Sequence, residues 1–356
     1  MSLRIALRSP FGDRVVREVS DGRWAEAPTG APSPLLGDDL WALPGLVDGH
    51  AHLAAEELDY QPGDFDGAMV RARAALAAGV TLLLDKGWTD DVTIRVIDAL
   101  PAGERPEIEA AARVLSAPNG YFPGFAKEVE PGDIEKAVAD EASAGAGWVK
   151  LIGDWPRKGL GPVANFSESE LRRAAKVAES MGARVAIHTM ARDVPSMAVA
   201  AGVHSIEHGM FLTETDIAAL GERGGMWVPT LRRNEATLAQ LGAESSGGRL
   251  FLEGLARIEN GLLPMAVEAG VRVLAGTDLA GSPADVAAEA KRLGEYGLGN
   301  ADVVAAVSLN GFVATERDHD FSIGSAADAV LFAANPIDDV EVLAHPAHVM
   351  RHGRML

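Results

Sequence analysis

The chain has 356 residues, 32 Lys+Arg against 51 Asp+Glu, a formal net charge of −19 and no cysteine. With 47% apolar and 23% charged residues, it is a globular chain, large enough for one big domain with an appendage or for two ordinary ones. The acidic surplus argues against nucleic acid as a partner, since neutralising phosphates needs clustered Lys and Arg. The lack of cysteine removes disulfides, thiol nucleophiles and cysteine-held zinc or iron–sulfur centres.

The first eight residues lack the apolar middle of a secretion signal, and no stretch approaches the roughly 18 apolar residues of a membrane span. The expectation is a cytoplasmic protein with no membrane partner. Residues 1–41 are rich in turn formers, notably at 27–34, with a strand-like piece at 14–19. From residue 42 onward, short apolar runs alternate with amphipathic stretches. The runs are 43–48, 80–84, 107–115, 147–152, 184–188, 203–207, 226–231 and 271–276. Helical spacing occupies 67–78, 133–145, 167–181, 213–223 and 250–269. Ser167 and Glu170 form a capping-box pattern, Thr213 precedes Asp216 at N-cap spacing, and Gly79, Gly182, Gly202 and Gly270 mark helix ends. The tail returns to strand-like pieces at 329–332, 340–343 and 348–350.

Mostly apolar rather than alternating strands indicate a parallel sheet covered on both faces. Eight strand–helix units suggest a closed (β/α)8 barrel, with an open doubly wound sheet as the alternative. Lone strands at opposite termini would be weak edges, and pairing them into one small β domain resolves both. The expected division is a small domain from 1–42 and 318–356 around a barrel of 43–317.

A parallel barrel carries its chemistry at the C-terminal ends of its strands. The first run leads into Asp48-Gly49-His50-Ala51-His52, where residues two apart face the same way. The fourth carries Lys150, the fifth ends at His188, the sixth at His208, and the eighth is followed by Asp278. Each has a bland reading: a hydrogen-bonded rim histidine, a helix-capping Asp, a lysine reaching for water. Four His, one Lys and one Asp on five of eight strand ends are much harder to obtain by accident. Among the rest, Asp48 and Glu207 flank these positions and could orient imidazoles from behind. Lys86 reads as rim packing, His204 as structural, and His345, His348 and His352 as surface residues.

The segments 43–52 (LPGLVDGHAH), 205–209 (SIEHG) and 275–278 (AGTD), with the tail 324–331 (GSAADAVL), Asn335-Pro336 and 349–354, resemble the metal-dependent amidohydrolase superfamily, in its prolidase-like and imidazolonepropionase-like branch. The resemblance implies a distorted (β/α)8 barrel plus a small β-sandwich built from both termini. It also implies two divalent metal ions, usually zinc: His50, His52 and Asp278 on one, His188 and His208 on the other. Lys150, carboxylated by CO2, would bridge them, because a protonated amine has no lone pair for a metal whereas a carbamate has two oxygens. The implied reaction is attack of a metal-activated hydroxide on a carbonyl, with Asp278 as general base and then acid.

Substrate choice should come from the loops, where Tyr121 and Trp155 could stack on a substrate and Arg232 or Arg233 could hold a carboxylate. The expected partner is a small-molecule amide such as a dipeptide, an N-acyl amino acid or a cyclic amide; a homo-oligomer is compatible with the sequence. The rivals are a lactone or ester hydrolase using the same centre, and a non-catalytic barrel acting as a binding module.

Overall fold

The apolar runs become parallel strands: Leu46–Ala51, Val80–Asp85, Glu107–Ala110, Trp148–Ile152, Arg184–Thr189, Ser205–His208, Met226–Val228 and Arg272–Val273. The structure, a computed structural model, describes residues 3–27, 35–36, 39–56 and 61–356. The first three strands pair in sequence order. The last five also pair in order, in a seven-stranded sheet extended by the short strands Leu115–Ser116 and Lys127–Glu128. Backbone bonds link the two sheets at both margins. Ala110 N donates to Ala146 O at 2.8 Å, and Gly49 N donates to Ala275 O at 2.7 Å.

Side-chain alternation divides these strands into two populations. Leu83, Val149, Leu151, Val185, Ile187, Ile206 and Trp227 join the large core with helix residues such as Leu171, Ala174 and Ala178. Leu82, Leu84, Trp148, Ala186, Met226 and Val228 form a separate cluster with Val47, Leu274 and Phe312. Helix residues therefore pack on one face of the strands, and the other face carries a separate cluster that also takes in Phe312 and Ala314 of the helix Leu309–Ala314. Ser167 and Glu170 make the expected capping box, as do Thr213 and Asp216. Among the described residues no helix is long and apolar enough to cross a membrane.

Strands from both termini form one eight-stranded mixed sheet, joined where Trp41–Leu43 runs antiparallel to Ala329–Phe332. Its core is Ile5, Leu7, Trp24, Phe321, Leu331 and Met350. A bridge from Arg23 to Ala326 brings its far edge back toward the strand Ala329–Phe332. Of the turn-rich stretch 27–34, residues 28–34 lie outside the described residues.

Two expectations fail for local reasons. The piece 340–343 is not a strand but part of the 3₁₀ helix Val340–Ala344, because the Asp339 side chain accepts from Glu341 N at 3.0 Å and closes a turn. The stretch 250–269 is not one helix. Ser246–Arg257 and Leu263–Glu268 are separated by a π turn in which Gly261 takes φ 104°, and Pro264 opens the second helix.

Candidate active site

Strand register gathers the polar residues. Lys150 lies opposite Ala186 and His188 opposite Glu207, so Lys150, His188 and Glu207 share one face of neighbouring strands. His208 is one residue further and would alternate away. Its φ of 64° turns it back, leaving its ring centroid 4.6 Å from His188 and 5.6 Å from His50. Asp278 has φ 42°, and its N–H donates to His50 O at 2.8 Å, which carries its carboxylate over the first strand. Non-glycine residues in this left-handed region cost about 1–3 kcal/mol each. Two glycines permit the close approach: a Cβ on Gly276 would lie 2.7 Å from His50 Cβ, and one on Gly49 would lie 2.8 Å from Leu274 Cβ.

Two hydrogen bonds and one close contact lie behind three histidines. His52 Nδ1 lies 2.8 Å from Gly87 O, a pure acceptor, whereas His50 Nδ1 lies 2.6 Å from Glu207 Oε2 without hydrogen-bond alignment. His208 Nδ1 lies 2.7 Å from Thr230 Oγ1, whose own proton goes to Pro229 O, so the hydroxyl accepts. The Nδ1 atoms of His52 and His208 thus carry the proton and their Nε2 atoms keep a lone pair. His50 Nε2 and His52 Nε2 both lie 3.4 Å from Asp278 Oδ1, and one ligand atom from each of the three residues falls within 4.8 Å of the others.

The electrostatics agree with cation binding. Burial lowers His50 and His188 well below the ordinary imidazole range and brings His208 down to about 4, so the rings are neutral. Burial works against ionisation of Asp278, yet the surrounding His50, His52 and His208 rings hold its carboxyl well below the usual value. Burial also brings Lys150 down to about 8, with Lys86 adding to the effect and Glu207 opposing it. The Lys150 Nζ is buried and makes no hydrogen bond. Neutral buried imidazoles, a carboxylate within reach of two of them and an unpartnered buried amine fit a cation-binding centre chemically.

The supporting residues differ from expectation. Asp48 touches no imidazole; its carboxylate accepts from Thr277 N at 3.1 Å, Thr277 Oγ1 at 2.7 Å and His50 N at 3.1 Å, fastening the 277–278 turn to the first strand. Lys86 is not a rim residue. It is fully buried, its Nζ 3.5 Å from Glu207 Oε1 and 4.0 Å from the Trp148 ring centroid, because alternation places it on the inner face after Leu82 and Leu84. Asp85, which the sequence reading passed over, accepts from Leu53 N and Gly87 N at 2.7 and 2.8 Å and so steadies the support of His52. His204 accepts from Val185 N at 3.1 Å, while His345 and His348 are exposed.

His50, His52, Lys150, His188, His208 and Asp278 line one cavity of about 540 Å³. Tyr121 and Trp155 line it too. Arg232 does not: Glu289 accepts from its backbone N–H at 3.1 Å and from that of Leu231 at 2.6 Å, and the neighbouring Arg233 faces the cavity instead. Thr230, at φ 46°, sets this turn into the helix Leu231–Leu241, and no spacing rule marks it.

Asp154 lies beside the site and accepts from Met190 N at 2.8 Å. Burial pushes it from 3.8 up to about 7, so the folded chain holds this proton more tightly than the unfolded one. The stabilisation is complete below 3.8 and is lost as pH rises to about 7. Asp154→Asn, which keeps an acceptor, should therefore gain on the parent in urea midpoint across that window. A midpoint difference that stays flat with pH contradicts this assignment.

The chain is similar along most of its length to known proteins. Residues 41–356 match the sequence model of the amidohydrolase family. An uncharacterized protein of Mycobacterium tuberculosis is 33% identical over 343 residues, covering 94% of this chain and 90% of that protein. The ochratoxinase of Aspergillus niger is 26% identical over 279 residues, covering 73% of this chain and 56% of the relative. A crystal structure of a Xaa-Pro dipeptidase with methionine bound in its active site superposes with a TM-score of 0.82 at 20% identity, covering 100% of each chain. With the match running from the strand that precedes His50 to the C-terminus, this chain belongs to the amidohydrolase family.

Proposed function

We propose that this protein is a hydrolase of a C–N bond in a small amide, working with two divalent metal ions. One observation carries the reading: His50 Nε2 and His52 Nε2 both lie 3.4 Å from one Asp278 carboxylate oxygen, and hydrogen bonds commit the Nδ1 protons of His52 and His208 to acceptors. His50, His52 and Asp278 would hold one ion, and His188 and His208 the other. Lys150 would hold both once its Nζ has taken up CO2. Burial lowers Lys150 to about 8, which favours the neutral amine that this addition requires.

When bound, the ions supply Lewis acidity, polarising a carbonyl and acidifying a water. The chain's own residues do the rest. Asp278 takes the proton of the attacking water on a carboxylate oxygen and returns it to the departing nitrogen. Glu207 and Thr230 keep His50 and His208 in the ligating tautomer. Tyr121 and Trp155 wall off solvent on one side, and Arg233 offers a guanidinium to a substrate carboxylate.

The proposal includes a closed (β/α)8 barrel of 43–317, supported by the 49–275 and 110–146 backbone bonds, and a small domain of 1–42 with 318–356, supported by its own core. Protein loaded with zinc and bicarbonate should carry about two ions per chain and hydrolyse members of a panel of dipeptides, N-acyl amino acids and cyclic amides. Lys150→Ala should lose that activity and part of the metal. A metal-free protein would favour the binding-module alternative, turnover of lactones alone would move the reaction to esters, and activity surviving in Lys150→Ala would overturn the site.

A further inference from the structure

The cavity walls are chemically unlike. On one side, edge-to-face ring contacts run without a gap, with centroid distances of 5.5 Å from His52 to Trp88, 4.7 Å from Trp88 to Phe125 and 5.4 Å from Phe125 to Tyr121. Tyr121 then meets Trp155 at 4.6 Å and Phe122 at 4.9 Å, and reaches His188 at 6.1 Å. The arc begins on one candidate ligand and ends on another. Its members come from the segments after the second, third and fourth strands of the series. Arg233, Thr237 and Gln240 line the cavity from the helix Leu231–Leu241, after the seventh.

Five interlocked rings form a stiff apolar wall: Trp88 and Phe125 are buried and back it, while the half-buried Tyr121, Phe122 and Trp155 present edges and faces that suit a planar π system. A small aliphatic group would leave much of those three rings wet, and about 540 Å³ is within the range of cavities that enclose drug-sized ligands. Such a wall adjoining the histidines, with a guanidinium on a different element, selects a substrate with one aromatic and one anionic end.

We propose that Tyr121, Phe122 and Trp155, backed by Trp88 and Phe125, form a subsite for an aromatic acyl group, making the substrate class N-aroyl amino acids, with the amino-acid carboxylate directed to Arg233. This rests on the amide-hydrolase reading above and narrows it. Water adds across the C–N bond: the acyl carbon gains a hydroxyl and leaves as an aromatic acid, and the nitrogen gains a proton and leaves as the amino acid.

The test separates the subsite from the chemistry. Calorimetric titration of the metal-loaded protein with 2-naphthoate and with acetate should show 2-naphthoate bound about tenfold or more tightly, as expected for new ring–ring contacts. Trp155→Ala and Tyr121→Ala should each erase most of that ratio, and Trp155→Phe, which keeps a ring, should retain it. N-(2-naphthoyl)glycine should then be hydrolysed with a higher kcat/KM than N-acetylglycine. Equal affinities for the two acids overturn the subsite, as does a preference that both alanine variants leave intact. A naphthoate preference of the predicted kind, with neither amide hydrolysed, leaves the subsite standing and overturns the amide reading.

Discussion

Asp278→Asn is expected to lower kcat by about 10²–10⁴-fold, the range that a positioned general base contributes. Asparagine keeps the volume and one oxygen of the aspartate but cannot take a proton. It also tolerates the left-handed backbone that residue 278 adopts at φ 42° almost as well as aspartate does, so the turn should survive. Alanine would be a poorer probe, because it would add backbone strain to the loss of the carboxylate. Metal analysis and a thermal melt on the same preparation should show part of the metal retained and a fold close to the parent's. Near-normal turnover in this variant would remove Asp278 from the chemistry.

Glu207→Gln should be the most damaging polar substitution for stability. Glu207 and Lys86 are both fully buried, with Lys86 Nζ 3.5 Å from Glu207 Oε1, and Glu207 Oε2 lies 2.6 Å from His50 Nδ1. The glutamine would leave the ammonium without its counter-charge in a low-dielectric interior, which costs about 3–5 kcal/mol when one partner of a buried pair is removed. Ser205 Oγ donates to the same Oε1 at 2.6 Å and cannot replace a full charge. Adding Lys86→Met, an apolar chain over the Trp148 ring, should recover most of the loss. Urea unfolding of the parent, both single variants and the double variant measures the coupling; a double variant no more stable than Glu207→Gln alone would show that the pair is not the source.

The order of the apolar runs made the parallel strand series legible, because the composition of doubly covered strands differs from that of half-exposed ones. Strand-end position likewise singled out His50, His52, Lys150, His188, His208 and Asp278, and the structure brings all six to one cavity. Alternation from Leu82 would also have turned Lys86 inward; reading it as rim packing ignored that period. The 340–343 piece misled because its Val-Glu-Val-Leu composition suits a strand, whereas the preceding Asp339 closes a turn.

The choice between Arg232 and Arg233 had no local signature. It depends on a left-handed Thr230 and on Glu289, nearly sixty residues away, accepting from the helix start. The aromatic arc is equally non-local, its rings coming from three separate segments. Residue type and periodicity are encoded along the chain, so strand identity and the inventory of ligand-capable side chains could be read there. The tautomers, the pairing of Lys86 with Glu207 and the shape of the cavity follow from which segments meet in space, and that is settled by long-range packing to which no short window of sequence has access.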